Sequence, residues 1–225
     1  MNIRVVALTA ALFALLGSVK AQTPQQWRDS LAVINGMIKY APGSVDLRLK
    51  KAAINIELNQ WEYAVDEYSR VLEISPKNLA ALYFRAYANS NLRRYDLAKY
   101  DYETFLSVMP KHFEAQLGLA VVKQKMGRKM DALDELNRLV QLFPDSTLAY
   151  AARAGYEAEL QQYDVALFDW DEAIKRAPGK VDFIVSKIDV LLTLKRYDEA
   201  WSEIEKAIKA GTPKAALKPW IDRCK

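Results

Sequence analysis

Apolar residues along the chain recur three and four positions apart, which is the spacing of one face of an α-helix. The pattern is clear in one set of five: Trp61, Ala64, Tyr68, Val71 and Leu72. The alternation of apolar and polar residues that indicates a half-exposed strand is absent. The spacing predicts one helix at about 45–58 and a second at about 61–74, joined by a turn at Asn59 and Gln60.

The helix pair is repeated along the chain, and prolines mark the period. Five of them lie 34 residues apart, at Pro42, Pro76, Pro110, Pro144 and Pro178. Proline cannot continue a helix and restricts the residue before it, so each is expected to follow the second helix of a pair. Equivalent turns are expected at Arg93-Arg94, Gly127-Arg128 and Gln161-Gln162.

Small and bulky residues share this period. A small residue of the first helix recurs at Ala52, Ala86, Ala120 and Ala154, and an alanine of the second helix recurs at Ala64, Ala98, Ala132, Ala166 and Ala200. A bulky residue follows the second alanine, at Tyr68, Tyr102, Leu136, Trp170 and Ile204. Alanine lets two helices approach closely, and the bulky residue fills the adjoining space. Because two helices cannot cover their own apolar faces, the pairs are expected to stack into a continuous core.

These features resemble the tetratricopeptide repeat (TPR) family, which has the same period, the same small residues and the same closing proline. Five full repeats fit the chain, at 45–78, 79–112, 113–146, 147–180 and 181–214. The resemblance implies an all-α fold, a right-handed superhelical solenoid of antiparallel helix pairs. It leaves the function open, because such arrays serve unrelated binding tasks.

The two ends are expected to cap the array. Residues 22–44 resemble a second helix without its partner, with one apolar face made of Trp27, Leu31, Ile34 and Ile38. The segment 215–225 follows a helix start at Thr212 and Pro213. Its Leu217, Trp220 and Ile221 are expected to cover the last repeat, with a kink or split at Pro219.

Residues 1–21 have the pattern of a cleavable export signal. Arg4 gives a positive start, residues 5–17 are apolar, and the small residues Val19 and Ala21 precede a cut before Gln22. A bilayer span needs about 20 apolar residues, so this run is short for one, although a retained membrane anchor is the alternative. We expect an exported protein, periplasmic or secreted, with no integral membrane span once the signal is removed.

Composition narrows the function classes. The chain has 225 residues, with 51% hydrophobic residues, one cysteine and one histidine. A thiolate metal cluster or a histidine-based zinc site cannot be assembled from so few ligands, and no glycine-rich phosphate loop occurs. We therefore expect no metal and no cofactor. The formal net charge of +4 comes from scattered residues rather than a basic stripe, so nucleic-acid binding is not expected.

Each second helix carries an acid at the same place, and a base lies 16 residues earlier in four of the five repeats. The pairs are Lys51 with Glu67, Arg85 with Asp101, Arg153 with Asp169, and Lys187 with Glu203. We expect ion pairs that specify the register of the two helices. The third repeat has Leu119 in place of the base, so Glu135 should be exposed or should have another partner.

In the resembled family, the first helices line the concave face. Places 2, 5, 9 and 12 of each repeat share that side, because they lie three or four residues apart. A protein or peptide partner is expected to bind through Leu49, Ala53, Tyr83, Tyr87, Ser90, Leu117, Val121, Gln124, Ala151, Gly155, Val185 and Asp189. The basic cluster with which family members grip a terminal carboxylate is absent from these places, so a hydrophobic or amphipathic segment is the expected ligand.

Several of these residues have two interpretations. Tyr83 and Tyr87 either contact the partner or pack between neighbouring first helices. Gly155 either lets a ligand backbone approach or relieves crowding between helices. Tyr100 and Phe168 on the second helices either form an outer contact patch or are partly covered by neighbours, and we favour the covered arrangement.

The expected function is a scaffold without catalytic activity, with a role in envelope assembly or secretion. Two alternatives remain open. One is an envelope enzyme that cleaves glycans with paired carboxylates, for which Asp169 and Asp171 are candidates. The other is a structural protein that self-associates. His112 is expected in a solvated loop, and Cys224 is expected to be a free thiol near the terminus.

Overall fold

The computed structural model describes residues 22–224, and the expected export signal lies outside the described residues. These residues form twelve α-helices and one short 3₁₀ helix, and they contain no strand. Consecutive helices pack against each other as pairs. The predicted all-α fold of stacked helix pairs is confirmed.

The helices follow the 34-residue period of the sequence. Their bounds are α1 Pro24–Tyr40, α2 Val45–Glu57, α3 Trp61–Ile74, α4 Leu79–Asn91, α5 Tyr95–Val108, α6 Phe113–Lys125, α7 Lys129–Leu142, α8 Thr147–Glu159, α9 Tyr163–Arg176, α10 Val181–Thr193, α11 Tyr197–Lys209 and α12 Lys218–Arg223. From α2 to α11, even-numbered helices are the first helices of a repeat and odd-numbered helices are the second. The two helices predicted at 45–58 and 61–74 are α2 and α3.

Each first helix ends in the same hydrogen-bonded turn. After α8, Gln161 N–H donates to Ala158 O at 3.1 Å and Gln162 N–H donates to Glu157 O at 2.8 Å. This pair of bonds is the Schellman motif, which places one residue in the left-handed region. That residue is Asn59, Arg93, Gly127, Gln161 or Lys195 in the successive repeats, all with positive φ. The predicted turns therefore lie where the sequence placed them.

The chain divides into two compact units, one that ends at Ala81 and one that begins at Leu82. In the first unit, α1 packs against α2, and α2 packs against α3. Helix α1 begins with a capping box between Thr23 and Gln26, and none of its residues is buried. Its predicted apolar face, Trp27, Leu31, Ile34 and Ile38, is half-buried. The half-repeat therefore covers α2 with one side and leaves its own opposite side open.

The second unit contains two apolar clusters. One joins α6, α7 and α8 through Ala120, Leu136, Leu139 and Ala149. The other runs from α8 to the end of the described chain and includes Trp170, Ile188 and Ile204. The small alanines at the repeating places are fully buried, as close packing of helices requires.

The C-terminal segment covers the last repeat as predicted. Leu217 and Ile221 are buried in the same cluster as Ile188, and Trp220 packs against that cluster. A 3₁₀ helix at Lys214–Leu217 gives way to α12, in which Pro219 lies in the first turn. Proline is favoured at that place because the first N–H groups of a helix have no partner within it. The predicted split at Pro219 is confirmed.

None of the helices between Gln22 and Cys224 combines the length and the apolar character that a membrane crossing requires.

Candidate functional site on the first helices

Side-chain caps mark the start of α2, α6 and α8, whereas Lys180 before α10 makes no such hydrogen bond. Ser44 accepts from Leu47 N–H at 3.4 Å, and Ser146 accepts from Ala149 N–H at 3.3 Å. His112 occupies the equivalent place before α6, where its Nδ1 accepts from Ala115 N–H at 3.3 Å. His112 lies in the loop before α6 as expected, but it is less solvated than expected, since it is half-buried and its ring lies 4.9 Å from that of Phe105.

Ion pairs hold each first helix against its second helix, as predicted. Nitrogen–oxygen distances for the four expected pairs are 2.9 Å for Lys51 with Glu67, 2.7 Å for Arg85 with Asp101, 2.5 Å for Arg153 with Asp169 and 3.1 Å for Lys187 with Glu203. Burial opposes the ionisation of Glu67, but hydrogen bonds from Lys51 and Arg48 outweigh it and lower the pKa of this carboxyl. Glu67 is therefore held in its charged form by the bases of the first helix.

The third repeat uses a different base. Lys123 Nζ lies 2.7 Å from Glu135 Oε1, and both side chains are largely buried. Lys123 is one helical turn after Leu119, so it reaches the acid from the same side of α6. The prediction that Glu135 has another partner is confirmed.

The fourth repeat contains a more compact charged cluster. Arg153 donates to both oxygens of Asp169, which is fully buried, and its Nε lies 3.7 Å from Glu157 Oε1. Glu157 is only 3% exposed. Burial, followed by the charge of Asp169, raises the pKa of Glu157 to about 7 against the opposing charge of Arg153. Two carboxyls that share one guanidinium in a dry site cannot both ionise freely.

With each first helix fixed in this way, places 2, 5, 9, 12 and 13 of α4, α6, α8 and α10 form a recurring side within the second unit. We call this side the first-helix face. Its members from Leu82 onward are Tyr83, Tyr87, Ser90, Asn91, Glu114, Leu117, Val121, Gln124, Lys125, Leu148, Ala151, Gly155, Ala158, Glu159, Asp182, Val185, Asp189, Leu192 and Thr193. Leu49 and Ala53 hold the matching places in the first unit, where Leu49 is half-buried and Ala53 is exposed.

The two tyrosines of α4 are both half-buried. The ring of Tyr83 lies 5.7 Å from that of Phe105, 5.5 Å from that of His112 and 6.0 Å from that of Tyr102. Burial, and after it the charge of Glu114, raise the pKa of Tyr83 to about 12. Tyr83 therefore packs mainly against its own second helix, α5, and against His112, rather than between two first helices, and its side chain is partly exposed.

The middle of the first-helix face is apolar and shallow. Leu117, Val121 and Val185 are half-buried, and Ala151 is buried. A Cβ built on Gly155 would meet no atom within 4 Å, other than the backbone of its own helix. Crowding between helices therefore does not require glycine at 155, and the space above it is open.

Several polar members of the face already have hydrogen-bond partners. Gln124 donates to the carboxylate of Glu159, and Ser90 donates to Ala86 O at 2.8 Å. Asp189 accepts from Trp220 Nε1 at 3.1 Å and from Arg223 Nη1 at 2.5 Å. The C-terminal segment thus already holds the carboxylate of Asp189 at one end of the face.

Two sequence-family profiles described as tetratricopeptide repeat match the chain, at residues 114–146 and 156–216. MamA from Desulfovibrio magneticus RS-1 superposes with a TM-score of 0.65 at 13% identity, over 69% of this chain and 88% of that chain. A tetratricopeptide repeat protein from Parabacteroides merdae gives 0.64 at 20% identity, over 89% and 78%. The chain contains tetratricopeptide repeats, and we refer to it as the TPR protein.

A third solved structure is YrrB, described as a TPR protein with an unusual peptide-binding site. It superposes on this TPR protein with a TM-score of 0.60 at 21% identity, over 79% of this chain and 92% of that chain. No curated protein sequence matches. At these identities the likeness shows a shared fold, and the site has to be argued from the residues of this chain.

The outer side of the TPR protein differs from expectation. Tyr100 is 65% exposed and Phe168 is 60% exposed, so the favoured interpretation that neighbours partly cover them is wrong. Both lie at the same place of a second helix, and we call this exposed place the outer side. They form an exposed aromatic position on α5 and another on α9.

The candidate catalytic carboxylates lie in structural ion pairs. Asp169 is fully buried against Arg153, and the exposed Asp171 lies 2.6 Å from Lys187 Nζ. A buried carboxylate of this kind has no access to a glycan. Across residues 22–224, no group of three or more His, Cys, Asp or Glu side chains is arranged to hold a metal ion. Cys224 is a free, half-buried thiol.

Sequence reasoning missed the close approach of Tyr102 to Gly118, where an added Cβ would lie 2.6 Å from Tyr102 Cζ. It also missed Glu157 as the third member of the Arg153 cluster. Glu157 follows Arg153 by one helical turn, and that spacing was the available signal.

Proposed function

We propose that the TPR protein is an exported scaffold without catalytic activity, which binds a protein or peptide segment on the first-helix face and acts in envelope assembly or secretion. The open space above Gly155 carries this proposal. On the neighbouring first helices lie Leu117, Val121 and Val185. These apolar side chains are only half-buried, so part of each remains exposed to solvent. Partly exposed apolar side chains beside a free backbone suit an extended or helical ligand.

Two further observations support a binding role. The ion pairs account for the recurring buried acids, because each has a structural partner, and this weakens the case for carboxylate catalysis. YrrB, which shares the fold, is described as having a peptide-binding site. The exposed Tyr100 and Phe168 favour a second candidate, which is association through the outer side, either with another copy or with a partner.

The binding face can be tested without disturbing the core. Gly155→Gln adds a side chain to open space in α8 and removes a helix-destabilising glycine, so it should obstruct the face in a fully folded protein. Gly36→Gln in α1 is the matched control, since a Cβ at Gly36 also meets no atom within 4 Å. Partners are captured from native envelope extracts and quantified by mass spectrometry.

The proposal expects proteins that are recovered with the original chain and with Gly36→Gln but are lost with Gly155→Gln. Equal recovery with all three would contradict a role for the first-helix face.

The double variant Tyr100→Ser, Phe168→Ser tests the outer side in the same experiment. Light scattering at increasing protein concentration measures self-association. Loss of partners or of oligomers in that variant alone assigns the interaction to the outer side.

Export is tested separately by cell fractionation and by the N-terminal sequence of the recovered protein. We expect the mature chain to begin at Gln22 and to be released with the periplasmic or secreted fraction. A cytoplasmic protein that retains residues 1–21 would contradict export.

A further inference from the structure

The first-helix face has a charge opposite to that of the whole chain. In the second unit it carries one base, Lys125, and four acids, Glu114, Glu159, Asp182 and Asp189. The formal charge of the face is therefore −3. The full sequence has a formal net charge of +4. Acids along the edges of an apolar strip create a negative potential that attracts cationic side chains.

The acids on this face are accessible to a ligand. Asp182 and Glu159 are exposed, and Glu114 is partly exposed. Glu159 accepts from the amide of Gln124, and Glu114 Oε2 lies 3.3 Å from His112 Nδ1. These are contacts with side chains that leave part of each carboxylate open, unlike the bidentate grip of Arg153 on the buried Asp169. A cation approaching from solvent can therefore reach the three acids.

One carboxylate of this face already binds donor groups from elsewhere in the chain. In the C-terminal segment, Leu217 and Ile221 face the core, while Trp220 and Arg223 reach Asp189. This segment is amphipathic: Leu217, Trp220 and Ile221 contact the apolar cluster, while the indole N–H of Trp220 and the guanidinium of Arg223 donate to Asp189. Helix α12 packs against α10 and α11.

The part of the face that contains Tyr83 and Tyr87 is also near a negative charge. The charge of Glu114 acts on the hydroxyl of Tyr83, and Tyr87 lies in the same region. Partly exposed tyrosines offer aromatic area on which the stem or the charge of a lysine or arginine can pack. Apolar, aromatic and acidic groups thus occur together along α4 and α6.

We propose that the first-helix face selects cationic amphipathic segments, in which lysine or arginine alternates with apolar residues at helical spacing. This proposal rests on the proposed function, because it requires that the face be the binding surface. The apolar side of the ligand lies over Val121, Gly155 and Val185, and its charges pair with Glu114, Glu159 and Asp182. Acidic segments are rejected, because they would place carboxylates beside carboxylates.

Three labelled peptides of about 18 residues, or about five helical turns, test the proposal by fluorescence anisotropy. The first places leucine on one face of a helix and lysine on the other. The second replaces each lysine with glutamate, and the third keeps the lysines but replaces each leucine with serine. We expect the leucine–lysine peptide to bind at least about tenfold more tightly than the other two, with affinity that falls as salt is added.

Neutral variants separate local charge from total charge. Glu114→Gln, Glu159→Gln and Asp182→Asn together should weaken the leucine–lysine peptide about tenfold and flatten its salt dependence. The control is Asp96→Asn, Asp134→Asn and Asp198→Asn, three exposed acids on second helices, which should leave the affinity unchanged. Circular dichroism and melting curves confirm that both triple variants are folded.

Each outcome decides the proposal. Equal binding of the lysine and glutamate peptides, or equal weakening by the two triple variants, overturns the charge preference. If Gly155→Gln then still weakens both leucine-bearing peptides, the proposed function survives and only the selection of cationic segments fails. If no peptide binds, the cationic proposal fails, and the envelope capture with Gly155→Gln decides the proposed function independently.

Discussion

The ring of Tyr102 on α5 lies against the backbone of Gly118 on α6, so closely that a methyl group there would come within 2.6 Å of Tyr102 Cζ and 2.8 Å of its hydroxyl oxygen. Tyr102 is buried and packs in the interior of its repeat. The glycine is therefore a packing requirement, in a helix that would otherwise be more stable with alanine.

Gly118→Ala should destabilise the protein by about 1–3 kcal/mol, because overpacking outweighs the gain in helix propensity. Gly155→Ala should instead stabilise it by about 0.5–1 kcal/mol, since its Cβ meets open space. Denaturant unfolding measures both. The double variant Tyr102→Leu, Gly118→Ala should lose less free energy of unfolding than the sum of the losses in the two single variants. Equal stability of the two alanine variants would contradict this account.

The Arg153 cluster should make stability depend on pH through Glu157. The pKa of Glu157 is raised to about 7 in the folded protein from an ordinary value of 4.5. Between these values the folded state binds more protons than the unfolded state, so its stability falls as pH rises from about 4.5 to about 7. Glu157→Gln should remove this component.

At about pH 8, Glu157→Gln should be more stable than the original chain by about 1–3 kcal/mol, because one pKa unit corresponds to about 1.4 kcal/mol. Thermal melts across a pH series provide the measurement. The exposed Glu73→Gln serves as the control and should change little. An unchanged pH profile in Glu157→Gln would show that this carboxyl titrates normally.

Removing the guanidinium from the same cluster should be costly. Arg153→Met leaves the fully buried Asp169 without its partner, and breaking a buried pair in this way costs about 3–5 kcal/mol. Lys50→Met removes an exposed partner of Asp46 and should cost less than about 1 kcal/mol. Replacing Asp169 with Leu in the Arg153→Met background should restore much of the loss. Similar costs for Lys50→Met and Arg153→Met would argue against the register-setting role.

The Schellman turns offer a test of local backbone strain. Gln161 has a φ of 62°, whereas the equivalent Gly127 has a φ of 74°. Because glycine enters this region without a Cβ penalty, Gln161→Gly should stabilise the protein by about 1 kcal/mol, and Gly127→Ala should destabilise it by a similar amount. Calorimetry on the two variants, with the exposed Gln162→Ala as a control, tests this. A lower melting temperature for Gln161→Gly would contradict it.

Much of the fold followed from spacing in the sequence. The prolines, the small alanines and the turns equivalent to Asn59 recur at fixed intervals. The residues that each of them contacts recur at the same intervals, so every repeat forms the same helices and the same contacts. The same holds for the pairing of Arg85 with Asp101, since four of the five repeats have a base and an acid at these places. Periodic interactions can therefore be inferred without coordinates.

The exceptions to the period could not be inferred in this way. His112 replaces a serine-like cap, and the sequence does not show that its ring meets Phe105. Tyr83 and Tyr87 occupy equivalent sides of α4, yet only the structure shows how deeply Tyr83 is packed against α5. The exposure of Tyr100 depends on its neighbours in three dimensions, which the pattern of a single repeat does not contain.

The sequence by itself determined the number of helices in each repeat, their turns, the caps at both ends and the ion pairs between helices, because these depend on residues a fixed number of positions apart. The tertiary structure decided which glycine is confined and which is open. Gly118 and Gly155 are both glycines within first helices, and they have the same helix propensity. One faces the ring of Tyr102 from the preceding helix and the other faces open space, and only the packing of helices in three dimensions separates a glycine that packing requires from one that lies open on the first-helix face.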